Sequence, residues 1–305
     1  MAQTEAMAAA VKPHRRRRHW EPYYLIAPSL IITVSVLFFP LAYSLYISFF
    51  AYNLARPTDV PFVGFQNYVD NITGTEFPLA LMNTIVFTLG AVTLEFVLGL
   101  CFALLLNRDF RGQGIVRTCF MLPLFLTPSI VAMNWLFMFQ PRMGVIPWLA
   151  SFVGVPPGFP FLATPSTAMA ALIMVDVWRA TPFMFLVLLA GIQGLPQEAI
   201  EAASIDGANA WQQLRYVTLP ILAPLILIAL SIRGMDAFRE FDLVFVLTGG
   251  GPGRTTEVIG MLAYRTGFNY YDMGRGSAMA YIILFLVLGL SIYFVKKLRD
   301  MQVSA

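Results

Sequence analysis

Charged residues are scarce in this sequence. They make up 12% of the 305 residues, about half of the share found in soluble domains. Hydrophobic residues reach 58% and the mean hydropathy is +0.70. The 26 Phe and 12 Tyr exclude a disordered chain, because such chains carry few apolar rings. A water-soluble enzyme of this size is excluded as well, and a polytopic helical membrane protein is the class that remains.

The residue patterns of metal sites and catalytic centres are also missing. Cys101 and Cys119 lie in or beside apolar segments, which argues against a disulfide framework. His14 and His19 flank an arginine run and match no zinc or triad motif, and there is no Walker A motif. We therefore predict no catalytic residue, no metal site and no ATPase activity in this chain. The net charge of +3 is too small to indicate a nucleic-acid partner.

Apolar segments predict six membrane-spanning helices, since one crossing takes about 20 residues. The first segment is too long for a signal-peptide core, so we expect it to be retained. The uncharged segment 143–166 contains five prolines and is assigned to a loop that packs against the protein or dips at the surface. A domain of residues 23–295 is flanked by tails 1–22 and 296–305. The predicted spans are 23–50, 79–106, 118–139, 167–189, 220–247 and 277–295.

Basic residues near the span ends predict the orientation. With both termini in the cytoplasm, twelve basic residues fall on the cytoplasmic side and five outside. The cytoplasmic set is Lys12, Arg15, Arg16, Arg17, Arg18, Arg108, Arg111, Arg117, Arg215, Lys296, Lys297 and Arg299. The external set is Arg56, Arg142, Arg254, Arg265 and Arg275.

The cytoplasmic loop 194–220 has the pattern of two short helices joined by a tight turn. Pro196 and the acids after it favour a helix start. Gly207 supplies the reversal that ends the first helix. A second short helix is predicted at about 210–217, and Pro220 opens the fifth span. On these grounds alone, a structured connector and a docking surface remain equally open.

The spacing in this loop resembles the EAA signature of ABC importer permeases, EAA-x3-G-x9-I-x-LP. Glu201-Ala202-Ala203 is followed by Gly207 and by Val217-Thr218-Leu219-Pro220 at the signature's spacing, with Val217 in place of the usual Ile. Other segments resemble the sugar-type permeases of this family: Arg18–Pro28, Gly112–Arg117 before LPLFLTPS, VWRATPF at 177–183 and DLVFVLTGGGP at 242–252.

This resemblance implies an all-α polytopic membrane protein with six transmembrane helices and the type I ABC importer permease fold. It implies a bacterial cytoplasmic (inner) membrane location, a second homologous permease subunit that makes a heterodimer, two ATP-binding cassette ATPase subunits and an extracytoplasmic solute-binding protein. ATP and Mg would bind to the partner ATPase, and no cofactor is expected on this chain. The residues implied to couple to the ATPase are Glu201, Ala202, Ala203, Asp206, Gly207, Leu219 and Pro220.

Eight ionisable residues lie inside the predicted spans, where a charge costs about 2.5–3.5 kcal/mol. In the fifth span, charges of alternating sign recur at every third position and can neutralise each other along one helix. A salt-bridged interior and a lining of the transport path both explain them. The eight residues are Glu95, Asp176, Arg179, Arg233, Asp236, Arg239, Glu240 and Asp242.

The family resemblance also implies a substrate path through spans three to five. We expect a neutral sugar, glycoside or polyol as substrate. An anionic sugar derivative stays an alternative, since an arginine can clamp an anion bidentately, and a proton-coupled secondary transporter is a more distant one. The predicted path residues are Phe125, Ser129, Asp176, Arg179, Ala180, Phe183, Arg233, Asp236, Ala237 and Glu240.

Overall fold

The computed structural model describes residues 21–303, and this part of the chain is almost entirely helical. Its only β-structure is two isolated bridges, Phe50 with Phe62 and Asn53 with Asp272. Most of the predicted tail 1–22 and the last two residues lie outside the described range. The helices are α1 (Glu21–Ile47), α2 (Gln66–Thr73), α3 (Glu76–Leu106), α4 (Gln113–Met121), α5 (Pro128–Met138), α6 (Val145–Ser151), α7 (Pro165–Gln193), α8 (Gln197–Ile205), α9 (Ala210–Gln213), α10 (Leu219–Phe238), α11 (Asp242–Leu247), α12 (Ile259–Tyr264) and α13 (Met273–Val303).

Five helical segments are long and apolar enough to cross a membrane. They are α1, α3, α7, the continuous segment Ala210–Phe238 that contains α9 and α10, and α13. The segments Gln113–Phe125 and Pro128–Met138 form a bent pair that makes a sixth span if it is counted as one. The predicted all-helical class is therefore confirmed in the described residues.

The third predicted span, 118–139, is wrong as a single straight helix. Its two halves meet at an angle of 99°. A 3₁₀ turn at Leu122–Phe125 ends the first half, and Thr127 is extended before Pro128 opens the second. The reason is the Pro123 and Pro128 pair, because a proline disfavours helix in the residue before it and lacks the N–H that a helix interior needs.

The fifth predicted span, 220–247, is interrupted in the structure. Helix α10 ends at Phe238, and α11 begins only at Asp242. In the break, Glu240 Oε1 accepts a hydrogen bond of 3.0 Å from the N–H of Leu243. That bond satisfies one of the free N–H groups at the start of α11, so it favours a new helix over continuation of the old one.

Helix α1 is apolar on all sides. Its large side chains, including Leu25, Ile32 and Phe39, are exposed in the isolated chain. It contains two prolines, Pro28 and Pro40. An apolar surface around a whole helix suits a helix surrounded by lipid or by another membrane helix.

Helices α3 and α7 pack side by side and run in the same direction. Gly90 lies against Ile173, and Gly99 lies against the Met184–Phe185 backbone. Small residues let membrane helices approach closely. Because α8 follows the end of α7, the beginning of α3 lies at the opposite end of the helix bundle from α8.

Gly99→Ala should destabilise the chain, because the added Cβ would lie 2.6 Å from Met184 Cβ and 3.0 Å from the Phe185 nitrogen. We expect a loss of about 1–3 kcal/mol in unfolding free energy, read as a lower melting temperature in detergent. Gly289→Ala in α13 is the matched control, since its Cβ meets nothing within 4 Å and gains the same helix propensity. Equal melting temperatures for the two variants would contradict close α3–α7 packing.

Candidate functional site

A buried ionic network joins α3, α7 and α10 in the middle of the bundle. Glu95 comes from α3, Asp176 and Arg179 from α7, and Arg233 from α10, while Glu240 follows α10. The first four lie within regular helices, so the packing of α3, α7 and α10 positions their side chains. All five side chains are buried or nearly so. The structure thus joins Glu95 directly to Arg233, which lies 138 residues away in the sequence.

Arg233 is the centre of this network. Its Nε lies 2.7 Å from Glu95 Oε2, and its Nη2 donates to Glu95 Oε1 at 2.9 Å. The same Nη2 also donates to Asp176 Oδ2, and Nη1 donates to Asp236 Oδ2 at 3.1 Å. With every guanidinium nitrogen engaged, Arg233 holds helices together and has no free edge for a ligand.

Arg179 extends the network toward the break after α10. Its Nε and Nη2 donate to Asp176 Oδ1 at 3.2 and 2.7 Å. Nη2 also donates to Glu240 Oε2 at 3.2 Å, while the other Glu240 oxygen receives the Leu243 N–H. Arg179 therefore ties α7 to the carboxylate that starts α11. Within the described residues its Nη1 makes no hydrogen bond, so one edge of this guanidinium stays open.

Two further charges form an exposed border to the network. Asp236 is 54% exposed and Arg239 is 59% exposed, with 3.6 Å between Arg239 Nη2 and Asp236 Oδ1. The predicted charge ladder is therefore present from Arg233 to Arg239. It does not include Asp242, because the helix ends before that residue, and the exposed Asp242 makes no ion pair within residues 21–303.

The remaining predicted path residues are apolar or small and lie in varied surroundings. Phe125 is exposed at the bend between α4 and α5, and Ser129 is exposed in the first turn of α5. Ala180 and Ala237 are buried, and Phe183 is half-buried. Ala180 neighbours Arg179, and Ala237 neighbours Asp236, so both stand beside the charged network without contributing polar groups to it.

The loop after α7 contains the short exposed helix α8, which a Schellman motif ends. Gly207 adopts φ +82°. Its N–H donates to the Ser204 carbonyl at 3.1 Å, and the N–H of Ala208 donates to the Ala203 carbonyl at 2.9 Å. This pattern needs a left-handed residue at the position of Gly207, as the sequence predicts. Glu201, Ala202 and Asp206 are exposed along the helix, and Ala203 is half-buried.

The second helix of this loop was predicted to be separate from the fifth span. In the structure it is continuous with that span. A capping box of Asn209 and Gln212 starts α9. A π-helical turn at Leu214–Thr218 then leads directly into α10, where Leu219 and Pro220 fill the first turn. Proline is tolerated there because the first-turn N–H groups have no helical partner. The second helix of this loop and α10 therefore form one continuous helical segment.

A second ionic group lies at the opposite end of the bundle, and sequence reasoning missed it. Arg254 pairs with Glu76 at the start of α3, and Arg265 Nη2 lies 2.8 Å from Glu257 Oε1. Burial raises the pKa of Glu257, and the charges of Arg265 and Arg254 oppose that shift. Asn83 donates to the carbonyls of Arg254 and Glu257. This group fixes the loop between α11 and α12 onto α3.

Comparison with known proteins gives consistent similarities. Residues 95–304 match the family described as binding-protein-dependent transport system inner membrane component. The chain is 40% identical to a probable ABC transporter permease protein of Sinorhizobium fredii, over 93% of this chain and 92% of that protein. It is 39% identical to a trehalose/maltose transport system permease protein of Thermococcus litoralis, over 90% of this chain and 92% of that protein.

The fold is also similar to that of a solved structure. The structure is of a bacterial ABC transporter involved in the import of the acidic polysaccharide alginate. The TM-score is 0.78 at 24% sequence identity, and the alignment covers 93% of this chain and 96% of the other. This similarity supports the overall fold.

Arg233→Met should destabilise the chain strongly, because it leaves the buried carboxylate of Glu95 without its arginine and removes one of the two arginines that bind Asp176. Removal of one partner from a buried pair costs about 3–5 kcal/mol. Arg239→Met is the matched control, since an exposed pair contributes at most about 1 kcal/mol. Adding Glu95→Gln to Arg233→Met should recover part of the melting temperature. Similar melting temperatures for the two single variants would show that the network does not hold the helices.

Proposed function

The chain belongs to the family of binding-protein-dependent transport system inner membrane components, and we propose that it is the permease subunit of an ABC importer for a sugar or sugar-like solute. The names of its relatives support this class of substrate, since one of them is a trehalose/maltose permease. The chain itself would catalyse nothing. Its work would be to open and close a path through the membrane while a partner hydrolyses ATP.

The exposure of Asp236 and Arg239 is the observation that carries a substrate path along α10. Both sit at the end of a membrane-spanning segment, and both are more than half exposed in the isolated chain. Charged side chains face the bundle interior or a wet cavity and not lipid. This side of α10 would therefore face an aqueous path, and the path would be completed by a second permease subunit.

The open edge of Arg179 and the carboxylate of Asp236 suit hydroxyl groups, since the first donates hydrogen bonds and the second accepts them. Arg233 would support the site without touching substrate, because its nitrogens are all engaged. A neutral sugar fits this balance best. An anionic derivative would meet the Asp236 carboxylate, and its charge would be repelled there.

The α8 loop would be the surface that receives the ATPase subunit. Besides the helix end at Gly207, it presents two apolar side chains to solvent, Ile205 at 86% exposure and Trp211 at 68%. Buried aromatic anchors dominate the binding energy of protein interfaces. Because the loop is continuous with α10, ATPase closure would tilt the helix that carries Asp236.

The complete importer would contain two permease subunits, two ATP-binding cassette subunits with ATP and Mg, and an extracytoplasmic binding protein, all at the bacterial inner membrane. The number of each subunit is part of the proposal. The assembly is tested by reconstituting the chain with its partners in vesicles: sugar uptake should require ATP. Sugar uptake by this chain alone, driven by a proton gradient, would contradict the proposal.

Gly207→Val should uncouple ATP hydrolysis from sugar uptake, because a β-branched residue does not tolerate φ +82° and the end of α8 would be displaced. We expect uptake in the reconstituted importer to fall about tenfold or more while the chain still inserts. Gly154→Val is the matched control, with φ +90° and equally open surroundings in the loop before α7. Normal uptake by Gly207→Val, or an equal loss in Gly154→Val, would refute the coupling role.

Asp236→Asn should weaken sugar uptake through a higher KM with little loss of folding, because the amide oxygen can still accept from Arg233. Loss of one charged hydrogen bond to substrate corresponds to about a tenfold change. Asp109→Asn, at an exposed position in the loop after α3, is the control and should leave KM unchanged. An unchanged KM in Asp236→Asn would remove this residue from the path.

A further inference from the structure

A separate polar cavity of about 360 Å³ lies at the end of the bundle opposite α8. Its walls come from α2, the start of α3, α12 and the start of α13. It contains none of the path residues described above. The volume falls in the range of small-molecule sites. Its polar lining residues are Asn53, Asn71, Thr75, Glu76, Thr266, Tyr270, Asp272 and Arg275.

Two of these residues have hydrogen-bonding atoms without partners. Asn71 is only 2% exposed, and its Nδ2 donates to the Arg275 carbonyl at 2.9 Å. Its Oδ1 is buried and accepts no hydrogen bond, and the buried Nε of Arg275 donates none within the described chain. An unpaired buried polar atom costs about 1–3 kcal/mol. Both residues line the cavity, so a ligand bound there would meet one side chain with an unused acceptor and one with an unused donor.

The walls of the cavity are held rigidly. Gly274 lies so close to the Phe50 carbonyl that a Cβ would stand 2.1 Å from it, and its N–H donates to the Tyr52 carbonyl at 3.0 Å. Asp272 Oδ1 accepts from the Arg275 N–H at 3.1 Å. The backbone of 272–275 is thus fixed against the segment that precedes α2. A rigid wall keeps the two unpaired atoms in place and lowers the entropy cost of binding.

The charges around the cavity are balanced. Glu76 is neutralised by Arg254, and one carboxylate, Asp272, stands against one guanidinium, Arg275. Because these charges balance, neither an anion nor an ammonium group would gain a net attraction in the cavity. Hydroxyl groups donate and accept, so an uncharged polyhydroxyl ligand can offer a donor to Asn71 and an acceptor to Arg275.

An aromatic ring completes the lining. Tyr270 is about half-exposed, and its hydroxyl accepts from Arg254 Nη2 at 3.3 Å. That contact holds the ring at the cavity, where its flat face can cover apolar C–H groups of a ligand. Rings and hydroxyl partners together are typical of sites for sugars.

We propose that this cavity is a second carbohydrate site, which receives an uncharged sugar ring at the extracytoplasmic surface apart from the path along α10. The proposal rests on the proposed function for the class of substrate, although the cavity and its unpaired atoms stand independently. The site would hold a sugar close to the point of delivery before it reaches Asp236. It predicts that the chain binds sugar at two sites, and that a single substitution can weaken one site without changing the other.

The test measures trehalose binding by saturation-transfer difference NMR, with the full chain in lipid nanodiscs. The background variant is Asp236→Asn, so that the path site is weakened and the cavity dominates the signal. Adding Arg275→Met removes the unpaired donor and, because this guanidinium makes no ion pair in the described residues, should leave folding intact. We expect apparent affinity to fall about tenfold. Adding Arg56→Met instead is the control. Arg56 is an exposed arginine in the loop before α2, and its loss should leave the apparent affinity for trehalose unchanged.

Three results would overturn the proposal. The first is the absence of any trehalose signal in the Asp236→Asn chain, and the second is a signal that Arg275→Met leaves unchanged. The third is a loss of ATP hydrolysis stimulated by the binding protein in Arg275→Met, with the trehalose signal unchanged. That result would show that the cavity contacts the binding protein. ATP-dependent uptake by the wild-type importer, measured in parallel, reports separately on the proposed function.

Discussion

The need to neutralise charge in a medium without water determines much of this structure. Glu95 and Asp176 are fully buried between membrane helices, and Arg233 stands between them. Because an isolated charge there is costly, the three helices that carry these groups must keep a fixed relation at this level. The network includes Glu240 in the break after α10, and α10 is continuous with the second helix of the loop that begins at α8. It therefore connects the part of the chain that would receive force with the part that would meet substrate.

The sequence predicts the helices well where length and apolarity decide. The four uninterrupted spans and the left-handed position of Gly207 follow from residue type and local spacing, whereas the predicted loop 143–166 contains the short helix α6. The break at 239–241 does not, because it depends on competition between a cap from Glu240 and a continuing helix. The bend at Phe125–Pro128 could have been predicted from its two prolines, but the apolar residues around them favoured a single span. The 28 residues at 220–247, with charges in their second half, look the same in sequence whether or not Glu240 turns back to start a new helix.

The partners inside the site were harder to predict. Spacing indicates neighbours three or four positions apart, and it correctly pairs Asp176 with Arg179 and Arg233 with Asp236. The bonds from Arg233 to Glu95 and Asp176 join different helices, and no local pattern reports them. The cavity near Asn71 was missed for a related reason. Asn67 and Asn71, one turn apart on α2, were the available signal, but polar residues in a short surface segment resemble an ordinary solvated face.

The long separation between Glu95 and Arg233 has a consequence for biosynthesis. The ribosome adds about 5–20 residues per second, so the 138 residues between them take roughly 7–30 s to make. When α3 leaves the ribosome, Asp176 and Arg179 have not yet been synthesised. Arg233 follows later still. The carboxyl of Glu95 is therefore made long before the arginine that pairs with it. Until then, the free energy of inserting the apolar side chains of α3 must outweigh the cost of this one carboxyl in the membrane. The synthesis of α10 supplies its partner.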